Sequence, residues 1–397
     1  MEMKIEKQPS KIIKPFVPTL SSHYKLGFIE EVVSLIYVRI VLFFPSNTDH
    51  NDTKFVARLE KSLEKILTRF YPVAGRYVKE TNIIDCNDEG VEFIDAQINI
   101  KLDDFLDSKD NDKFIDEFIP SKFGLGFDMH NDSSLITIQV TTFECGGVAI
   151  GISGSHLLFD ASTLCTFINE WALMNREENE TEFTAYGFGS SSVFPAHGFH
   201  PFPVVSDDML SKYTRKKLSF NASLISNLKE KAKNSIHKWS KPINLREKMA
   251  SLIPKSSCGN IFGVLLQEVG TTKTFEELAD LLSDFVRKSI NEYSKTYHDN
   301  EEGVTMVLNS FLQLYKINPE STNLIILTSW CKFPFYEADF GFGKPIWVAP
   351  GTIPLEKSVY LIDDVQGNGV EAYVFLKVEE VPKFEEALNR VNTLLFA

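Results

Sequence analysis

Residues 135–160 constrain the fold more tightly than any other stretch of this chain. Ile136, Ile138 and Val140 alternate with Thr137, Gln139 and Thr141, Gly146-Gly147 supplies a turn, and VAIGIS (148–153) alternates again. Alternation with a period of two on both sides of a glycine turn predicts a β-hairpin. Its second strand runs directly into Gly154-Ser155-His156. After Asp160 the period becomes helical, with Leu164, Phe167, Ile168 and Trp171 at i, i+3, i+4 and i+7. His156 is therefore expected just past a strand and Asp160 at the start of a helix. A histidine at such a turn, after two small residues, can project into a cleft between layers. H-x-x-x-D alone is a weak signal in a chain with 8 His and 54 acidic residues, where a surface or core histidine satisfying a local hydrogen bond has the same spelling.

The rest of the chain alternates strand and helix signals. Residues 54–70 read as an amphipathic helix with Leu59, Leu63, Ile66, Leu67 and Phe70 on one face, and Pro72 and Gly75 of FYPVAGR (70–76) stop it. Two short strands are expected to flank CNDEG (86–90). Residues 175–210 lose periodicity and read as a long crossover. Helices are expected near 222–234 and 275–294, a strand near 323–330, a hairpin at 358–378 around Gly367-Asn368-Gly369, and a last helix over 381–394. A length of 397 residues exceeds one ordinary core, so two α/β domains are expected. The boundaries are set at 1–176 and 216–397, joined by a linker at 177–215.

Charge and composition exclude several classes. The net charge of −13 repels nucleic acid and anionic membrane, and any nucleotide site must be a local basic patch. Among the five cysteines no C-x-x-C pair occurs, which removes the usual zinc and thioredoxin-type spacings and predicts no metal. His197 and His200 stand among Phe and Pro with too few further ligands nearby. No G-x-S-x-G elbow, phosphate loop or dinucleotide fingerprint is present. The polar start MEMKIEKQPSK and the lack of a long apolar run predict a cytoplasmic chain, and with no coiled-coil or interface stripe standing out a monomer is expected by default. With 32 Phe the chain can build large apolar cores.

Two further segments could carry chemistry. Asp339-Phe340-Gly341-Phe342-Gly343-Lys344-Pro345 allows a tight turn around aromatic residues and equally reads as a loop joining two strands. Asn244-Leu245-Arg246 offers an arginine that could pair with a carboxylate elsewhere or simply be solvated.

Taken in order, FYPVAGR (70–76), HLLFD (156–160) with FINEWA (167–172) behind it, NLR (244–246), GNIF (259–262), DFGFGKP (339–345) and GVEAYVFL (369–376) resemble the BAHD family of plant acyl-coenzyme A-dependent acyltransferases. The resemblance implies two chloramphenicol-acetyltransferase-like α/β domains with mixed sheets, with residues near 339–368 rejoining the first. It implies acyl transfer from acyl-CoA, a co-substrate rather than a resident cofactor, to a hydroxyl or amine. His156 would be the general base. Asp160 would be turned towards Arg246 as structural support, and Asp339, Gly341, Phe342 and Gly343 would shape a supporting loop. Arg215, Lys216 and Lys217, or Lys229 and Lys233, are the candidates for the nucleotide phosphates. TTFECGGVAIGIS (141–153) looks most like the branch of alkaloid, alcohol and acylsugar acyltransferases, so the acceptor implied is the hydroxyl of a specialised metabolite.

Two departures from the family pattern stand out. Phe342 replaces the usual Trp, keeping the aromatic bulk and losing the indole N–H. About thirty residues of the pattern are missing before Asn244, where a long helix is usual. A shortened second domain is the feature that favours a rival, a folded but inactive relative with a binding or regulatory role. A carrier-dependent condensation-type domain is disfavoured because Ser155, not a second histidine, precedes His156.

Overall fold

The structure, a computed structural model, describes residues 3–33, 36–46, 54–108, 110–120, 133–176, 185–200, 212–224, 240–247, 249, 254, 256–266, 300–317, 324–353, 355 and 357–396. Along the chain its strands are β1 (Ile5–Lys7), β2 (Lys11–Ile13), β3 (His23–Lys25), β4 (Tyr37–Phe44), β5 (Arg76–Val78), β6 (Ile83–Asp85), β7 (Val91–Ile98), β8 (Ile136–Phe143), β9 (Val148–Ser155), β10 (Tyr213–Phe220), β11 (Ser240–Asn244), β12 (Phe262–Leu266), β13 (Ile326–Ser329), β14 (Trp347–Pro350), β15 (Ser358–Asp363) and β16 (Val370–Lys377). The described helices are α1 (Phe28–Val32), α2 (Phe55–Arg69), α3 (Leu102–Leu106), α4 (Ala161–Arg176), α5 (Ser190–Val193), α6 (Asn300–Tyr315) and α7 (Val381–Phe396).

The chain forms two compact units, each with α/β architecture and a mixed sheet. The first comprises Met1–Val204, Ser256–Asn260 and Phe333–Ile353; the second comprises Val205–Lys255, Ile261–Lys332 and Pro354–Ala397. The stretch that rejoins the first unit is thus 333–353, while 354–368 stays with the second.

In the first unit a seven-stranded sheet runs β1-β7-β8-β9-β4-β14, with β2 also paired to β7. The β7–β8 pair is parallel and β8–β9 is the hairpin read from the alternation, in the register Ile138↔Ile152. Helix α2 presents Leu59, Leu63, Ile66 and Leu67, all fully buried, and packs along α4, whose Trp171 Nε1–H donates to the Leu59 carbonyl at 3.2 Å. The other face of β8 is buried too. Thr137, Gln139 and Thr141 are inaccessible, and a 3₁₀ segment, Asn111–Phe118, meets this face where Gln139 Nε2 donates to the Glu117 carbonyl at 3.0 Å. A one-residue slip would exchange the apolar Ile136, Ile138 and Val140 with the polar Thr137, Gln139 and Thr141, so the register is strongly specified.

The returning segment is held by aromatic and polar contacts. Trp347 pairs in register with Phe43 and stacks on it, ring centroids 5.0 Å apart. Asp116 Oδ1 accepts from Thr352 N–H at 2.8 Å and from the buried Arg39 at 3.1 Å, while Oδ2 accepts from the Thr352 hydroxyl at 2.6 Å.

In the second unit a six-stranded sheet runs β10-β16-β15-β13-β11-β12, with β13 parallel to β15 and β11, and the other pairs antiparallel. Strand β13, the β15–β16 hairpin and helix α7 fall where the periodicity placed them. Helix α6 was not read from the sequence. Its stripe Val304, Val307, Leu308 and Phe311 has helical spacing, masked by Gly303 and by polar residues between. Strand β10 begins at Tyr213, inside the stretch expected as linker. The helix expected at 222–234 is described only at its start, Ala222–Leu224, and the helices expected near 275–294 lie outside the described residues.

Asp116→Ala should therefore lower stability by about 2 kcal/mol, because it leaves the Arg39 guanidinium and the Thr352 N–H without this acceptor. Urea unfolding monitored by tryptophan fluorescence measures it; an unchanged midpoint would show that the aromatic contacts alone hold the segment.

Candidate functional site

His156 occupies the first position after β9. Its N–H donates to the Ile36 carbonyl at 2.8 Å, continuing the β4–β9 ladder by one residue. The chain then turns, with Leu158 N–H and Phe159 N–H both donating to the Ser155 carbonyl at 3.0 Å. The glycine two positions before His156 has a steric cause. A Cβ on Gly154 would lie 2.8 Å from the ring of Phe159, which folds back over the strand end and is fully buried.

Asp160 starts α4. Its Oδ1 accepts Thr163 N–H at 2.8 Å and its carbonyl accepts Leu164 N–H at 2.9 Å, an N-cap arrangement that fixes where the helix begins. The Thr163 hydroxyl in turn donates to the Gly259 carbonyl at 2.9 Å and accepts Gly259 N–H at 3.1 Å. Gly259 has φ +101°, a conformation that glycine adopts without strain, and a Cβ there would sit 3.0 Å from Ser190 Oγ. Cap, hydroxyl and glycine together deliver the next residue, Asn260, beside His156.

Asn260 is fully buried and grips His156 at two points. Its Nδ2 donates to the His156 carbonyl at 2.6 Å, and its Oδ1 lies 3.1 Å from His156 Nδ1. An amide oxygen only accepts, so Nδ1 is the protonated ring nitrogen and Nε2 carries the lone pair of the neutral ring. Burial pushes the His156 pKa below its ordinary value; its own backbone hydrogen bond, Asp160 and Asn260 oppose that shift without reversing it. The unfolded chain therefore takes up the proton first on acidification, and this residue's contribution to stability is lost as pH falls below the ordinary histidine range.

Behind Asn260 lies a buried polar chain. Asn260 N–H donates to Glu30 Oε1 at 3.2 Å, the Ser190 hydroxyl donates to the same oxygen at 2.9 Å, and Tyr24 OH lies 2.8 Å from Ser190 Oγ. None of Glu30, Ser190 or Asn260 was singled out from the sequence as a site residue. Asn260 stood within GNIF (259–262), and its pairing with His156 depends on contact across 104 positions, which no local spacing reveals.

The Asp339 loop is a separate construction on the far end of α4. Asp339 Oδ1 accepts Gly341 N–H at 2.8 Å and Gly343 N–H at 3.1 Å, with both glycines at positive φ. Arg176 approaches Asp339 at 3.7 Å, and Asn175 Nδ2 donates to the Phe340 carbonyl at 2.7 Å. Phe342 packs edge-on against Phe44, centroids 5.1 Å apart, and stacks with Phe340.

Arg215, Lys216 and Lys217 lie on strand β10, so alternate residues point to opposite faces and the three do not form one patch. Arg215 is buried, Lys216 Nζ is 2.7 Å from Glu385, and Lys217 Nζ is 3.5 Å from Glu371. Lys229 and Lys233 lie outside the described residues. Arg246 is buried in the second unit, where its N–H and guanidinium donate to Asn244 Oδ1. Among the described residues no cluster of His, Cys, Asp or Glu has metal-binding geometry, and no helix is long and apolar enough to cross a membrane.

Asp339→Ala should cost about 1–3 kcal/mol, since two N–H groups in a tight loop lose their shared acceptor. Thermal unfolding checks it, and an unchanged transition would show that the aromatic packing of Phe340 and Phe342 holds the loop unaided.

Comparison with known proteins adds an independent finding. The model of the Transferase family matches residues 3–242 and 237–391. The chain is 30% identical to pelargonidin 3-O-(6-caffeoylglucoside) 5-O-(6-O-malonylglucoside) 4'''-malonyltransferase of Salvia splendens, over 97% of this chain and 98% of that one. It is also 30% identical to the BAHD acyltransferase BIA1 of Arabidopsis thaliana, over 97% and 96%. The crystal structure of vinorine synthase matches with a TM-score of 0.79 at 27% identity, covering 96% of each chain.

Proposed function

The chain belongs to the transferase family of BAHD acyl-CoA-dependent acyltransferases, and from that premise we propose that His156 is its general base and a hydroxylated specialised metabolite its acceptor. The observation that carries the assignment of His156 is the Asn260 amide, whose oxygen at 3.1 Å from Nδ1 leaves the basic lone pair on Nε2. A thioester is already activated, so no covalent acyl-enzyme is needed. Nε2 takes the proton of the acceptor hydroxyl as its oxygen attacks the thioester carbonyl carbon. The tetrahedral oxyanion collapses, the C–S bond breaks, and the proton passes from Nε2 to the leaving thiolate. The products are the acyl ester and free coenzyme A. A base so placed contributes about 10²–10⁴-fold.

Asp160 supports this site rather than touching substrate. Its Oδ1 caps α4 on Thr163 N–H. Asp339, Gly341, Phe342 and Gly343 keep a supporting role at the other end of the helix. The acceptor class draws on the relatives, since the Salvia enzyme is a malonyltransferase acting on a pelargonidin glucoside.

The test is acceptor-dependent release of coenzyme A thiol from acetyl-CoA, malonyl-CoA and branched acyl-CoA donors with a panel of hydroxylated acceptors. His156→Ala should lose about 10²-fold or more in kcat. A mutant that turns over like the native chain would remove His156 from the chemistry. Because burial lowers the His156 pKa, the base is unprotonated at neutral pH. The kcat/KM profile should be flat from about pH 7 to 8 and decline only below about pH 6.5. A decline that begins above pH 7 would contradict the depressed pKa.

A further inference from the structure

Glu30 is the least accessible carboxyl around the site, 1% exposed on the short helix α1. Besides its own backbone N–H, three neutral donors from elsewhere converge on it: Gly27 N–H on Oε2 at 3.0 Å, and the Ser190 hydroxyl and Asn260 N–H on Oε1 at 2.9 and 3.2 Å. Because the Ser190 proton is directed to Glu30, Tyr24 OH donates to Ser190 Oγ, and the chain of bonds runs one way from Tyr24 to Glu30. A carboxyl held this deep is costly unless its hydrogen bonds are made, and a residue retained only for packing would be cheaper as leucine. What the expense secures is the backbone of Asn260. That residue is bonded on one side to Glu30 through its N–H and on the other to His156 through both ends of its side-chain amide. With the backbone fixed, the amide cannot rotate without breaking both contacts to His156.

We infer that Glu30 is a positioning residue for acyl transfer: its carboxyl holds the Asn260 backbone, and Asn260 in turn holds the His156 ring in its Nδ1–H form, an assignment that rests on His156 being the base. Glu31, the neighbouring residue, serves a different end. Its carboxylate takes the N–H groups of His197, Gly198 and Phe199 on an exposed segment and has no bond to Asn260.

Glu30→Gln tests the inference, because it keeps the shape while replacing one acceptor oxygen by an NH₂ group. One of the backbone N–H groups then loses its acceptor. The full chain is assayed with acetyl-CoA and the acceptor panel, beside Ser190→Ala, Asn260→Ala, the Glu30→Gln/Asn260→Ala double variant and His156→Ala. In Glu30→Gln, kcat should fall about ten- to a hundredfold while KM for acetyl-CoA changes less than about twofold. In the Asn260→Ala background the same change should cost less than about twofold more, since the relay is already cut. Ser190→Ala, which keeps the carboxyl, should lower kcat in the same direction by less, and it carries the test if Glu30→Gln does not fold. Losses that add in full in the double variant, or a KM that rises with kcat unchanged, would overturn the positioning role. An inert His156→Ala beside a fully active, folded Glu30→Gln would refute Glu30 alone. A fully active His156→Ala would refute the base, and the role of Glu30 with it.

Discussion

One amide group sets the chemistry of this site. Asn260 meets His156 with its nitrogen on the backbone carbonyl and its oxygen near Nδ1. The two contacts are mutually determining. The carbonyl can only accept, so the nitrogen must face it; the oxygen is then left for the ring, and the ring must offer a proton. The tautomer of the histidine follows from the orientation of an amide that its own neighbours fix. Burial adds the second requirement by holding the ring neutral near neutral pH.

The surrounding fold can be understood as the means of bringing residue 260 to residue 156. The β8–β9 hairpin, buried on both faces, fixes the strand end that carries His156. Helix α4, capped by Asp160, presents Thr163 to Gly259, and the left-handed conformation of Gly259 turns the chain towards the site. The same helix ends at Asn175 and Arg176, which hold the Asp339 loop. H-x-x-x-D and D-F-G-F-G thus lie at opposite ends of the same helix. Phe342 fits this picture, since its contacts are aromatic edges and faces that a phenyl ring supplies as well as an indole would.

The sequence displayed the parts of the site that are local. A period of two followed by a period of 3.6 located His156 at a strand end and Asp160 at a helix start, because both periods are set by backbone geometry over a few residues. It did not display Asn260, Glu30 or Ser190, which meet through separations of more than a hundred residues and have no periodic signature. Glu30 was hidden further by its neighbour, since two adjacent glutamates at a short helix ordinarily read as a solvated pair. Arg215, Lys216 and Lys217 show the same limit: a run of three cations is visible in the sequence, while its division between the two faces of a strand appears only once β10 is formed. Helix α6 was lost to a glycine within its first turn, where the cost of Gly to a helix outweighed a stripe that tertiary packing rewards.

The most direct measurement is ¹⁵N NMR of the histidine rings in the native chain, with His156 assigned by comparison with His156→Ala, recorded from pH 6 to 8. The account predicts a neutral His156 ring at pH 7, with Nδ1 protonated and Nε2 showing the shift of an unprotonated, pyridine-like nitrogen. A ring protonated on Nε2, or a cation at pH 7, would contradict it.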